Sequence, residues 1–208
     1  MSIDGRYLEA GKPKGRWMLL LLFIIFALPV LLVAAMHKYD WHPKGSSYGD
    51  LIVPPKPISM PQNLLTPDGK VPRADLWRDK WSMVYVVGGS CEKVCRERLH
   101  IMRQLHVSMG KDSYRVQRLL IAQAADSQVT GLQAIQQQYP DMIVLSKSEP
   151  DTTTLIQQFD LPNEPAGRST RIYLVDPLGN LMMSYPLKVE PAAMRKDLIK
   201  LLTYAWAG

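Results

Sequence analysis

The stretch Val84–Met102, VYVVGGSCEKVCRERLHIM, decides how this chain reads. It continues the apolar, β-branched run that begins at Trp81 and is closed by Gly88 and Gly89, which predicts a central strand. From about Glu92 to Met109, Cys95, Leu99, Met102, Leu105 and Met109 recur at spacings of four, three, three and four. That is a single apolar stripe at helical period. The only two cysteines of the chain, Cys91 and Cys95, stand where this helix starts.

If both cysteines are helical, their side chains share a face, with Cα atoms about 6 Å apart, inside the range a disulfide accepts. Alternatively, Cys91 occupies the turn just ahead of the helix. Either way the thiols lie at a helix N-terminus, where unpaired N–H groups favour a thiolate. Cys95 continues the buried stripe, so Cys91 is expected to be the more exposed, attacking thiol. The spacing alone says little. A buried strand, Gly-Gly-Ser, Cys and a helix together are how thioredoxin-like folds present a dithiol, although the thioredoxin motif has two intervening residues rather than three. The pair is either a working dithiol or one structural disulfide.

Working outward, YRVQRLLIAQA offers a second strand around Val116–Ala122, and VTGLQAIQQQYP a helix stopped by Pro140. DMIVLS is a third strand and DTTTLIQQF a short helix. TRIYLVDPLGNLMMSYPL is a hairpin turning at Asp176-Pro177-Leu178-Gly179. The last segment is an amphipathic helix with Pro191 in its first turn and Met194, Leu198, Leu201 and Leu202 on its apolar face. Strands and helices alternate before the hairpin and closing helix, which predicts an α/β fold with a mixed central sheet.

Ahead of this domain, Trp17–Met36 is a run of twenty residues without a charge, about 30 Å long as a helix and sufficient to cross a bilayer. The run is longer than a signal-peptide core and follows a sixteen-residue head, so it reads as an uncleaved anchor. Arg6, Lys12, Lys14 and Arg16 precede it, whereas Lys38, His37 and His42 follow. That bias puts the head in the cytoplasm and the folded domain on the outer face, the periplasm of a Gram-negative cell. The expected organisation is a head at 1–16, a span at 17–36, a Pro-rich tether at 37–58 and the folded domain at 59–208. The net charge of +6 is scattered among acids. No dense basic block with interleaved aromatics suggests nucleic acid as a partner.

The Cys-x3-Cys pair with YLVDPLG at Tyr173–Gly179 resembles the Sco/SenC family of membrane-anchored copper chaperones in cytochrome oxidase assembly, over roughly Met60–Ala205. The resemblance implies a thioredoxin-like fold and a copper site made of both cysteines and a later histidine. Two departures stand out: the family's proline after the second cysteine is Arg96 here, and its histidine, five residues before the tyrosine, is Arg168. Arginine has no lone pair to offer a metal. His100 and His106 lie too far around or along the helix to substitute, and Met102, Met182 and Met183 read as core packing. The resemblance then implies an accessory factor acting on a cysteine-containing oxidase subunit or another assembly factor. It would work by thiol–disulfide exchange, by two-thiolate Cu(I) handling, or both. Cys91 and Cys95 would carry the chemistry. Arg168, with Lys93, Arg96 and Arg98 against Glu92 and Glu97, would supply positive charge beside it; as a plain loop residue, Arg168 would simply be solvated. Two alternatives stay open: a general envelope thiol–disulfide oxidoreductase without metal, and a non-catalytic binding module with a structural disulfide.

Overall fold

The computed structural model describes residues 15–39, 47–61, 64–123, 129–146 and 151–204. The chain divides into two compact units, Met1–Ser46 and Ser47–Gly208. In the first, α1 (Gly15–Lys38) is long and apolar enough over Arg16–Lys38 to cross a membrane, and none of its most apolar window is buried in protein. It supports anchoring through one span. Pro29 lies inside the helix without ending it. The basic head before Gly15 and His42 lie outside the described residues.

The second unit is built from β1 (Asp50–Pro57), β2 (Trp81–Val87), α2 (Lys93–Ser108), β3 (Val116–Ala122), α3 (Val129–Gln138), β4 (Met142–Ser146), α4 (Asp151–Gln157), β5 (Ile172–Val175), β6 (Asn180–Tyr185) and α5 (Pro191–Tyr204). One six-stranded sheet has the order β1-β6-β5-β2-β3-β4. β2, β3 and β4 are parallel, and β5, β6 and β1 add antiparallel pairings. Parallel neighbours need long crossovers, which α2 and α3 supply. The β5–β6 pair needs only a turn. There, the Gly179 N–H donates to the Asp176 carbonyl at 3.0 Å, and Gly179 takes φ +89, a conformation that favours glycine. This is the mixed α/β sheet expected.

The sheet is covered on both faces, which is why β2 carries no polar alternation. Trp81, Met83 and Tyr85 point into a cluster with Cys95, Leu99, Met102 and Leu105 of α2 and Met194, Leu198 and Leu202 of α5. Val84 and Val86 point the other way, into a cluster with Leu155 and Ile156 of α4, Phe159 and Tyr173.

The Pro-rich segment differs from the tether expected at 37–58. Its second half is β1, the sheet's edge strand, with Asp50 opposite Ser184 and Pro57 opposite Asn180. The pairing shifts between Leu51 and Lys56, and proline is tolerated there because an edge strand needs no donors on its outer side. Distant polar groups fix the segment. Asp197 of α5 accepts the N–H groups of Tyr48 and Gly49 at 2.8 and 3.1 Å, and Arg171 donates to Asp50 at 2.6 Å. The compact unit accordingly begins at Ser47 rather than at 59.

Candidate functional site

The site forms where β2 ends and α2 begins. Gly88 and Gly89 turn the chain, and Cys91 lies in the turn, two residues ahead of Lys93, the first residue of α2. The Arg96 N–H reaches back to the Glu92 carbonyl at 3.0 Å, and Arg96 Nε donates to the Cys91 carbonyl at 3.4 Å. Cys91 and Cys95 are joined in a disulfide with Cα atoms 5.1 Å apart. Of the two arrangements open from the sequence, Cys91 thus takes the one in the turn. Cys95 is buried in the α2 core cluster, whereas Cys91 is half-buried and packs on its edge.

A second loop closes on this turn. The short 3-10 turn Ala166–Arg168 approaches β2 so tightly that the Gly88 N–H donates to the Gly167 carbonyl at 3.0 Å. A Cβ at Gly88 would come within 2.6 Å of that carbonyl oxygen. The contact lines up both sides of a cleft of about 260 Å³, with Ser90, Lys93, Val94 and Cys95 facing Gly167, Arg168 and Thr170 over a floor that includes Tyr85 and Val87. Arg168 and Cys95 therefore share one cleft, with the Arg168 side chain exposed to solvent at its rim.

The other candidates lie elsewhere. His100 is exposed and hydrogen-bonded to Gln104, while His106 contacts the Ser113 and Val116 carbonyls and stands 3.8 Å from Asp141. Met102 and Met183 are core residues, and Met182 packs against the same cluster. Among the described residues, no group of three or more His, Cys, Asp or Glu side chains is placed to hold a metal ion. The residues that could hold a soft ion here are Cys91 and Cys95, through their sulfurs once the disulfide is reduced.

Arg98 is the residue whose chemistry gave no warning of its place. By charge it belongs with the surface cations Lys93 and Arg96, yet it is only 1% exposed, and its Nε and Nη2 have no hydrogen-bond partner among the described residues. Burial holds its guanidinium below the ordinary arginine value, with Tyr85 and Glu97 opposing the shift. Burial likewise raises the Tyr85 phenol, and the Arg98 charge draws it back. The available signal is spacing: 95, 98, 99, 102 and 105 follow the i, i+3, i+4, i+7 rule of one buried face.

A mixed sheet with a cysteine pair between a central strand and the next helix defines a thioredoxin-like protein with a disulfide at the position such folds use for redox chemistry. The chain belongs to the family described as transmembrane-like, thioredoxin-like, C-terminal domain, which it matches over residues 81–205. The structure is similar to that of Bradyrhizobium japonicum ScoI with copper bound, at TM-score 0.53 and 21% identity, covering 69% of this chain and 98% of that one. It is also similar to yeast Sco1 with copper bound, at TM-score 0.57 and 16% identity, covering 76% and 90%. A third likeness, at TM-score 0.52 and 16% identity and covering 74% and 96%, is to BsSco, a member of the Sco family of cytochrome c oxidase assembly proteins in which a disulfide switch is identified. At these identities the likeness is one of fold. A comparison with curated protein sequences finds no match.

Proposed function

We propose that the protein is a membrane-anchored accessory factor in cytochrome c oxidase assembly that works through Cys91 and Cys95. The supporting observation is the disulfide itself, one sulfur half-buried at the surface and the other in the core, opening on a cleft shared with an arginine. A partner thiolate would meet Cys91 first, forming a mixed disulfide that Cys95 resolves in the reverse direction. The reduced pair would take Cu(I) as cargo between two thiolates, the ligands this soft ion prefers. Arg168, at the cleft, would favour thiolate in either role. The domain would face the periplasm, with a cysteine-containing oxidase subunit or another assembly factor as partner.

A metal-free thiol–disulfide exchange is the second reading. The donor set favours it: beyond the two sulfurs, no third metal-binding side chain joins the group among the described residues.

One preparation tests both. The purified protein should show a reduction potential above about −300 mV, the region of working dithiols rather than structural staples. The reduced form should bind one Cu(I) with loss of that binding in Cys91→Ala, and Arg168→His should tighten it. A working potential without copper binding leaves the metal-free reading; a potential well below that boundary removes both.

A further inference from the structure

The buried arginines of this domain are not alike. Arg118 is 1% exposed and donates through Nη2 to Asp141, which answers its charge although Nε and Nη1 have no acceptor among the described residues. Arg171 is 17% exposed and is held by Asp50 and Glu164. Arg98 is as deeply buried as Arg118, its Nε and Nη2 find no acceptor, and no carboxylate pairs with it among the described residues. A buried charge without a partner is strongly destabilising. An anion formed beside it at another stage of the protein's cycle would offset that cost. Arg98 lies three residues after Cys95 on the same buried face of α2, the spacing at which helical side chains are neighbours. Long helical side chains lean toward the helix N-terminus, the direction in which Cys95 lies from Arg98. Tyr85, which lines the cleft together with Cys95, is coupled to Arg98: the phenolate form of Tyr85 would oppose the burial of Arg98, although burial keeps that phenol neutral. From its own helix, Glu97 also acts on Arg98.

In the disulfide both sulfurs are neutral. Reduction creates an anion next to this charge. We infer that Arg98 is a positioning residue for the redox step, a buried cation held unpaired in the oxidised protein whose counter-ion is the Cys95 sulfur when it leaves as a thiolate. The inference rests on the pair being a working dithiol. The step balances with a partner dithiol as reductant. A partner thiolate attacks the Cys91 sulfur. A new S–S bond forms, the Cys91–Cys95 bond breaks, and its electron pair departs on the Cys95 sulfur. The partner's second thiol then gives up its proton and attacks its own sulfur in the mixed disulfide. That expels Cys91 as a thiolate, which takes the proton. The partner ends as a disulfide, and the pair here, two electrons richer, holds one thiol and one thiolate. Arg98 favours the state in which Cys95 carries the negative charge, so it makes the disulfide easier to reduce.

The test uses the full-length protein in detergent, equilibrated with dithiothreitol redox buffers at fixed neutral pH, with thiols counted by alkylation. Arg98→Met should shift the equilibrium toward the disulfide by about tenfold, about 30 mV for a two-electron couple, and slow reduction in parallel. Arg98→Lys, which keeps the charge, should stay within about threefold of wild type, and Arg118→Met should leave the equilibrium unchanged. A folded Arg98→Met within twofold of wild type overturns the inference. So does an Arg98→Lys that behaves like Met, or an Arg118→Met that moves the equilibrium as far. Should Arg98→Met lose the wild-type circular dichroism spectrum, Arg98→Gln takes its place with the same expected shift and the same twofold limit. A wild-type disulfide that dithiothreitol does not reduce in the folded protein sinks the dithiol reading, and this inference with it. A reducible one insensitive to Arg98 sinks this inference alone.

Discussion

Arg118 on β3 and Arg98 on α2 are both 1% exposed, and the sheet's core accommodates them in opposite ways. Arg118 has a carboxylate on Nη2, and its guanidinium carbon lies 5.7 Å from the centre of the Tyr139 ring. Its charge is answered by the fold that buries it, at the junction of β3 with the turn into β4. Among the described residues, Arg98 has only a phenol and a neighbouring exposed glutamate to oppose its burial. The first arrangement belongs to stability. The second is the arrangement from which the redox role of Arg98 is inferred, with the Cys91–Cys95 disulfide on the same helix as the group that reduction makes anionic.

The largest effect that could break this contrast is at Asp141. Asp141→Ala strands the Arg118 charge in the core and should cost about 3 kcal/mol in urea unfolding. That is the low end for breaking a buried pair, because the Asp141 side chain is 54% exposed and water can approach. A cost near zero would mean that Arg118 is as unpartnered as Arg98. The same pair predicts a pH dependence. Burial would raise the Asp141 carboxyl, but hydrogen bonding and attraction from Arg118 outweigh it and hold the group below its ordinary 3.8. A depressed carboxyl stabilises the fold above its unfolded-state value and loses that contribution as pH falls through the folded-state value. The stability gap between wild type and Asp141→Ala should therefore be full at neutral pH and shrink on acidification below about 4, followed by urea midpoints across that range.

Next in size is the backbone contact that builds the site. Gly88→Ala places a methyl group 2.6 Å from the Gly167 carbonyl oxygen, and backbone on both sides leaves little room to yield. A loss of about 2 kcal/mol is expected, in the range for overpacking, with slower reaction of Cys91 toward a thiol probe as the 166–168 turn is displaced. Gly167→Ala meets its nearest atom, the Gly88 Cα, at 3.6 Å and should be tolerated within about 0.5 kcal/mol. Equal effects at the two glycines would show that the loops do not close as described. The cleft's shape is thus set by sterics between backbones, unlike the charge pairing at Arg118.

Much of this architecture is legible in the chain. β2 and β3 read as strands because their apolar runs face covered sides of the sheet, and α2 because its stripe keeps helical period from Cys95 to Leu105. β1 is not legible. Three prolines in eight residues read as a spacer, and what makes them a strand is a partner more than a hundred residues away, with Asp197 gripping the chain at Tyr48 and Gly49. Local sequence holds no trace of that pairing. At the site, the cysteines announce themselves by composition and context. The nearness of Arg168 to them comes through resemblance, and the Gly88–Gly167 approach could come only from the folded chain. Arg98 sets two signals in conflict. Its spacing puts it on the buried face, while its charge argues for solvent, and the spacing is the one the fold obeys.

That conflict yields the smallest and most discriminating expectation. If Arg98 is retained for the reduced state, then in the oxidised protein it is a burden, and removing it should help. Arg98→Met keeps much of the side-chain volume and supplies an apolar surface to the core around Tyr85 and Leu99. The oxidised variant should be about 1 kcal/mol more stable than wild type, since a well-packed apolar replacement for buried charge is often neutral or stabilising. Arg118→Met should not gain, because it also forfeits the Asp141 pair and the position over Tyr139. Thermal melts of the two oxidised variants side by side would decide it. A gain at 98 with none at 118 separates a charge kept for reaction from one kept for structure, whereas equal losses at both positions would mean that the core pairs Arg98 as well as it pairs Arg118.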